Sequence, residues 1–369
     1  RGASWPACAP SAPVPLPFMP DTAWWEPQSF PLALATALVS TACWGSWSNT
    51  AKAAGDRVNF AHFYIDFCIG TVVAALVFFA GPGRLKAGGP EVELINILYA
   101  SAAGGVFGLA NILLTTGITL GGLSIAFPLC IGTALVLGTI LTYAVDPRGK
   151  PELIFPGVVL ALLGVLANAR SYGLLQKHRE RDQRALNAPS SEAALNDAGT
   201  AAKSDACRNM TICIVGGVLM SFWAPLSAQG MKGDGGLSPY FSFLFFALAA
   251  LVVGLAIIAG QRCGCSLIPR VGGVTSAREY FRLPIVLHGW GLLGGAVWAL
   301  GTAANLVSGS PLGPALSYAL GQTAPLVAVL WGLGWYGEFT GAPRSSVWCL
   351  VAMFVLFIGA IALLCIGGT

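Results

Sequence analysis

The chain predicts an all-α, polytopic membrane protein whose ten spans form two inverted five-helix repeats. Three observations carry this expectation. Hydrophobic residues make up 55% of the 369 and charged ones only 10%, and the mean hydropathy is +0.72, a balance foreign to soluble domains. Apolar runs of about 20 residues, the length that crosses a hydrocarbon core, recur along the chain. The stretch from Gly104 to Pro147 is also echoed from Gly294 to Glu338. Ala110-Asn111 returns 194 residues later as Ala304-Asn305, and Leu123-Ser124 returns 193 residues later as Leu316-Ser317.

Residues 1–28 are rich in proline and tryptophan and lack a helical period, so they read as an irregular segment lying at the membrane surface on Trp5, Trp24 and Trp25. The chain begins at Arg1, as expected of a mature form after removal of a targeting peptide or of a truncated chain. Spans follow at 29–51, 59–80, 93–117, 121–145 and 154–174, giving a first repeat over 29–174. A hydrophilic linker, 175–208, is basic at its start and has room for a short helix at 192–196. Spans at 209–230, 239–260, 284–309, 313–337 and 346–367 then form the second repeat, 209–369. Because five is odd, the second half crosses in the opposite sense to the first, the plan of alternating-access carriers.

Of the 20 lysines and arginines, fourteen fall in the odd-numbered loops, with the linker and its flanks, and six in the even loops and termini. The positive-inside rule therefore puts the linker in the cytosol, or in the stroma or matrix of an organelle such as a plastid, and both termini on the opposite face.

Several functions are excluded by what is missing. A net charge of +4 spread over loops, with no basic tract interleaved with aromatics, argues against nucleic acid as a partner. The linker has no Gly-rich phosphate loop. Six of the ten cysteines fall in apolar runs, Cys8 and Cys207 have no evident partner, and Cys263-x-Cys265 lacks the spacing and histidines of a zinc site. No nucleophile–base arrangement emerges, so neither an enzyme nor a cofactor or metal is expected.

The candidate site residues are polar or aromatic groups that lipid would not tolerate idly. An ionised carboxylate in hydrocarbon is costly, which makes Asp66 the candidate proton-coupling residue; its alternative is an interfacial pairing with Lys52 or Arg57. Trp44 and Trp47 in span one and Trp223 in span six occupy matching places, and their faces suit planar heterocycles, as does that of Trp298; their alternative is a lipid-facing or interfacial position. The amides Asn111, Asn305 and Gln322 suit ring carbonyls and N–H groups, or bonds across helices. Pro128 and Pro325 each remove a backbone hydrogen bond inside a span, pointing to a midplane site nearby or to simple kinks. His62 and His288 read as histidines that satisfy a neighbouring carbonyl; their alternative is to relay protons or ligate a metal. Gly104-x-x-x-Gly108 and Gly291-x-x-x-Gly295 read as packing signals.

Across about three quarters of the chain the sequence resembles the ureide permease family of the drug/metabolite transporter superfamily. The resemblance rests on CWGSW (Cys43 to Trp47), HFYIDF (His62 to Phe67), GGVFGLAN with GLSIAFP (Gly122 to Pro128) and GTILTYAVD (Gly138 to Asp146). It continues through ELIFPGV (Glu152 to Val158), SFWAPLSAQG (Ser221 to Gly230) and LWGLGWYGEF (Leu330 to Phe339). It implies ten spans with a hydrophilic central loop, and proton-coupled uptake of allantoin, uracil and related oxo-heterocycles. The short linker, the Trp/Pro leader and the residues changed between motifs depart from the family pattern and bear on the substrate.

The expected partners are thus a small-molecule substrate, protons and the lipid bilayer. Two rivals stand beside this reading. One is a sugar or metabolite carrier of the same superfamily, with more hydroxyl-matching groups than tryptophans. The other is a non-transporting subunit held by partner proteins in a larger membrane complex, its cavity plugged by its own side chains.

Overall fold

The computed structural model describes residues 24–121, 123–186, 198–262 and 276–369. Among these the backbone is helical, with one isolated bridge between Gly88 and Leu237. Helix α1 (Phe30–Ser46) begins where the Ser29 side chain accepts from the Leu32 N–H and Pro31 enters the first turn, and α2 (Ser48–Ala54) extends it past Trp47. In α3 (Phe60–Ala80) the cap is Asn59, which accepts from the Ala61 N–H at 2.9 Å. The first half ends with α4 (Leu94–Gly121), α5 (Leu123–Val145) and α6 (Pro151–Leu186).

The second half contains α7 (Ala198–Ser221), α8 (Trp223–Gly230), α9 (Pro239–Arg262) and a four-residue α10 (Ala277–Tyr280) under a Ser276/Glu279 capping box. It closes with α11 (Ile285–Leu312), α12 (Pro314–Gly321), α13 (Pro325–Gly334) and α14 (Arg344–Gly367). Gly313, at φ 88°, makes the turn between α11 and α12.

Nine stretches among the described residues are long and apolar enough to cross a membrane. Two of them are helix pairs, α7 with α8 and α12 with α13. The first expected span arrives as α1, 17 residues long, continued by α2. Such a helix sits at the short end of the crossing range.

The linker differs from its expected irregular form at both ends. Helix α6 runs on to Leu186, because Gln176–Leu186 is rich in good helix formers and adds i,i+4 contacts from Gln176 to Glu180 and from His178 to Asp182. Helix α7 already starts at Ala198. Residues 187–197, with the expected short helix, lie outside the described residues, as do residues 1–23 and Cys263-x-Cys265.

Helix α4 packs on α9 and α3 on α11. Helix α6 packs on α14, α1 on α11, and α4 on α7. The two glycine motifs are where backbones meet: a Cβ on Gly104 would lie 2.0 Å from the Phe246 carbonyl oxygen, and one on Gly295 would lie 2.0 Å from that of Phe67. Val73, Leu76 and Val77 on α3, and Val351, Val355 and Ile358 on α14, face outward as an apolar surface suited to lipid.

Candidate functional site

Two helices part at prolines inside the bundle. Between α7 and α8, Pro225 has no N–H to give the Ser221 carbonyl, and α7 ends at Ser221. Between α12 and α13, Pro325 leaves the Gly321 carbonyl without its partner in the same way, and α12 ends at Gly321. Trp47, between α1 and α2, keeps helical angles, φ −56° and ψ −33°. Gly45, just before it, packs on the break at Pro325: a Cβ there would lie 2.5 Å from the Ala324 carbonyl oxygen. Pro128, by contrast, sits inside an unbroken α5 and opens no gap.

An aromatic cluster fills the space between the breaks. The Trp44 ring lies edge-on to Trp223 at 5.8 Å and parallel to Trp298 at 6.5 Å, and its indole N–H donates to Thr302 Oγ1 at 3.2 Å. Trp298 stacks on Phe107 at 4.7 Å and on Phe246 at 6.0 Å. Tyr318 meets Trp223 at 5.5 Å, and its hydroxyl donates to the Ala134 carbonyl at 2.9 Å. Trp47 joins through Phe67, at 5.0 Å. Trp44 fits only because Gly321 has no side chain, since a Cβ there would sit 2.5 Å from the indole ring.

The structure therefore brings Trp44, Trp47, Trp223 and Trp298 into one connected group, in which Trp223 and Trp298 are buried and Trp44 and Trp47 partly buried. The amides take different places. Asn305 Nδ2 donates to the Ser317 carbonyl at 2.7 Å while the Ser317 hydroxyl returns a bond to the Asn305 carbonyl, which clamps α11 to α12. Asn111 is buried on α4 near the Tyr64 hydroxyl, without hydrogen-bond geometry between them. Gln322 caps α12, its backbone N–H donating to Tyr318 at 3.1 Å.

Among the described residues the chamber expected between the halves is closed. Beside Trp223 and Asn305 remains a cavity of about 10 Å³, bordered by Ala224, Leu306, Gly309 and Pro314, room for one water at most.

Asp66 does not pair with Lys52 or Arg57, contrary to its structural alternative. Lys52 is engaged by Glu338, and Arg57 by the carbonyls of Ala53 and Ala54. Asp66 is buried and accepts from the Tyr280 hydroxyl at Oδ1, and it faces His288 Nδ1 at 2.8 Å through Oδ2. His288 thus serves a carboxylate rather than a carbonyl. Tyr280 lies outside the spans, and burial, with the hydrogen bond to Asp66, pushes its phenol above the ordinary value, so it stays a donor. A Cβ on Gly291 would lie 2.4 Å from the Asp66 Cβ, so glycine there lets α11 seat against the carboxylate.

Polar ties also close both ends of the bundle. On the linker face, Glu338 after α13 accepts from Lys52 Nζ at 2.5 Å and from the Tyr172 hydroxyl at 2.7 Å, and Arg179 donates to its backbone carbonyl. Burial alone would push the Glu338 carboxyl up, but the hydrogen bonds from Lys52 and Tyr172 and the charges of Lys52 and Arg179 hold it below the usual range. On the opposite face, Lys232 donates to the Val145 carbonyl at 2.8 Å, and Arg148 reaches the carbonyls of Gly309 and Ser310. Sequence reasoning missed Phe107, Phe246, Tyr318, Thr302 and Tyr280, whose partners lie far away in the chain.

Comparison with known proteins agrees with this architecture. A family model described as Ureide permease matches residues 200–367. Ureide permease 4 of Arabidopsis thaliana is 22% identical over 393 residues, covering 90% of this chain and 96% of that protein. Ureide permease 1 of the same plant is 24% identical over 378 residues with the same coverage. One solved crystal structure superposes with a TM-score of 0.52 at 16% identity, over 91% of this chain and 96% of that one, a likeness of fold alone.

The fold and these relatives together define a multi-pass membrane transporter rather than an enzyme. The chain is similar to the ureide permease family, by the model match over residues 200–367 and by these relatives over 90% of its length.

Proposed function

We propose that this protein is a secondary carrier for small polar oxo-heterocycles such as ureides or nucleobases, working by proton-coupled alternating access between two inverted five-span halves. The observation that carries the reading is that Trp44 on α1 and Trp223 at the break between α7 and α8 meet beside Asn305 and the break between α12 and α13. Discontinuous helices whose breaks gather at the middle of a bundle are the usual frame of a carrier site, and a ring between tryptophan faces with amides nearby matches a planar heterocycle rich in C=O and N–H.

The packing supports the repeat. Exchanging the first span with the sixth, the second with the seventh, and so on, turns the α4–α9 pair into α11–α3, and α1–α11 into α7–α4, and returns α6–α14 to itself. Both ends are tied and the centre is closed, which describes an occluded state in which opening one end admits the substrate. The domain limits 29–174 and 209–369 are the two halves of this proposal.

Purified protein in vesicles tests the reading. Saturable uptake of labelled allantoin or uracil is expected, with KM raised about 2- to 10-fold in Trp44→Leu, the loss of one stacking contact. Competition by unlabelled sugars instead would indicate the metabolite-carrier reading. The packed centre favours a second reading, a non-transporting subunit of a membrane complex. Absence of uptake together with stable co-purification of partner proteins would support it.

A further inference from the structure

We propose that His288, rather than Asp66, is the group that takes up the coupled proton, with Asp66 and Tyr280 positioning it. This rests on the proton-coupled carrier reading above and reassigns the proton within it.

The geometry separates two roles. Both Asp66 oxygens already serve as acceptors, Oδ1 to the Tyr280 O–H and Oδ2 to His288 Nδ1. A carboxylate only accepts, so the neutral His288 ring carries its proton on Nδ1 and presents Nε2 as its acceptor. The Asp66 side chain is 3% exposed and that of His288 15%, so the ring is the less buried member of the pair. A proton from the linker face binds Nε2. The neutral ring beside a carboxylate becomes an imidazolium–carboxylate pair, and the pair's net charge goes from −1 to 0 with no bond broken.

Other charged and titratable groups surround the pair, and Arg278 and Arg282 stand two residues either side of Tyr280 in the chain. His62 lies on α3 with its ring 5.6 Å from Tyr280, and Glu279 on α10 caps Ser276 and acts on His62. Helix α9, which also packs on α3, carries no titratable side chain between Ser242 and Gln261. Lys52 is held by Glu338. Because His288 and Gly291 flank the place where α11 of one half seats on Asp66 of the other, the charge change falls on a contact between the halves.

Two measurements on the full chain test the assignment. The chain has three histidines, so ring NMR of histidine-labelled protein in lipid gives few signals. One of them should vanish in His288→Gln, move with pH in the wild type, and change its pH response in Asp66→Asn, which keeps the side-chain shape. An identical pH response of that signal in wild type and Asp66→Asn overturns the proposal. In vesicles, the ratio of labelled uracil accumulated with and without an inward proton gradient should fall to about one in His288→Gln. A ratio kept in His288→Gln but lost in Asp66→Asn also overturns the proposal and returns the proton to Asp66. If the gradient leaves wild-type accumulation unchanged, the coupled-carrier reading fails and the coupling role with it, while the NMR result still reports whether the pair binds a proton as described.

Discussion

The two faces of the bundle are tied by different chemistry. On the linker face the ties end on carboxylates: Asp66 holds Tyr280 and His288, and Glu338 holds Lys52 and Tyr172. On the opposite face they end on backbone carbonyls, from Lys232 to Val145 and from Arg148 to Gly309 and Ser310, while the Arg148 pair with Asp146 stays within its own loop. A carboxylate or an imidazole titrates, and a carbonyl does not. The difference teaches that the carboxylate and imidazole ties between helices gather at the end that faces the linker, while the opposite end keeps a titratable group of its own, Glu26, whose carboxyl burial raises above the ordinary value against hydrogen bonds from Trp24 and Ser310.

The strongest way to break that contrast is to remove the buried partner. His288→Leu leaves Asp66 in the core with one donor fewer and no counter-charge when the ring would be protonated. The expected cost is about 3–5 kcal/mol in thermal unfolding of the purified protein. A loss no greater than that of an exposed substitution would show that the pair carries no weight. On the opposite face, Arg148→Ala removes charge-assisted bonds from a side chain 44% exposed, with an expected cost of about 1–2 kcal/mol that is the same at pH 6 and pH 8. A clear pH dependence would contradict the carbonyl account.

The smallest effect is at Glu338. Lys52 is 44% exposed, so solvent weakens the pair, and Glu338→Gln should cost about 0.5–1 kcal/mol near neutral pH. The Glu338 pKa is lowered in the folded state, so its contribution is complete above the ordinary glutamate range and fades as pH falls through the lowered value. The gap between wild type and Glu338→Gln in unfolding temperature should therefore close on acidification. A gap that widens toward acid pH would reverse the sign and refute the network.

Much of this was legible in the residues. The apolar runs located the spans because lipid forces every backbone group into a helix, and a run of about 20 apolar residues has little other use. Gly104-x-x-x-Gly108 and Gly291-x-x-x-Gly295 disclosed two of the close crossings, and Trp44, Trp223 and Trp298 disclosed the centre. Pro325 marked a true break where Pro128 did not, since a proline shows only that one hydrogen bond is lost and its surroundings decide whether the helix parts. The break at Pro225 passed unread for the same reason. Tyr280 remained hidden because it meets Asp66 from 214 positions away. The closed centre was legible only as the rival with a plugged cavity, because the same tryptophans that suggest a stacking site fill it when they stack on one another.

The most direct test of the two-halves carrier is counterflow exchange. Vesicles holding the purified protein are preloaded with unlabelled allantoin or uracil, and entry of the labelled compound is followed with no ion gradient. A site that opens alternately to each face predicts that preloading speeds entry of the label and drives a transient overshoot above equilibrium. Entry that is unaffected by preloading, or no entry from a folded protein, would contradict the account.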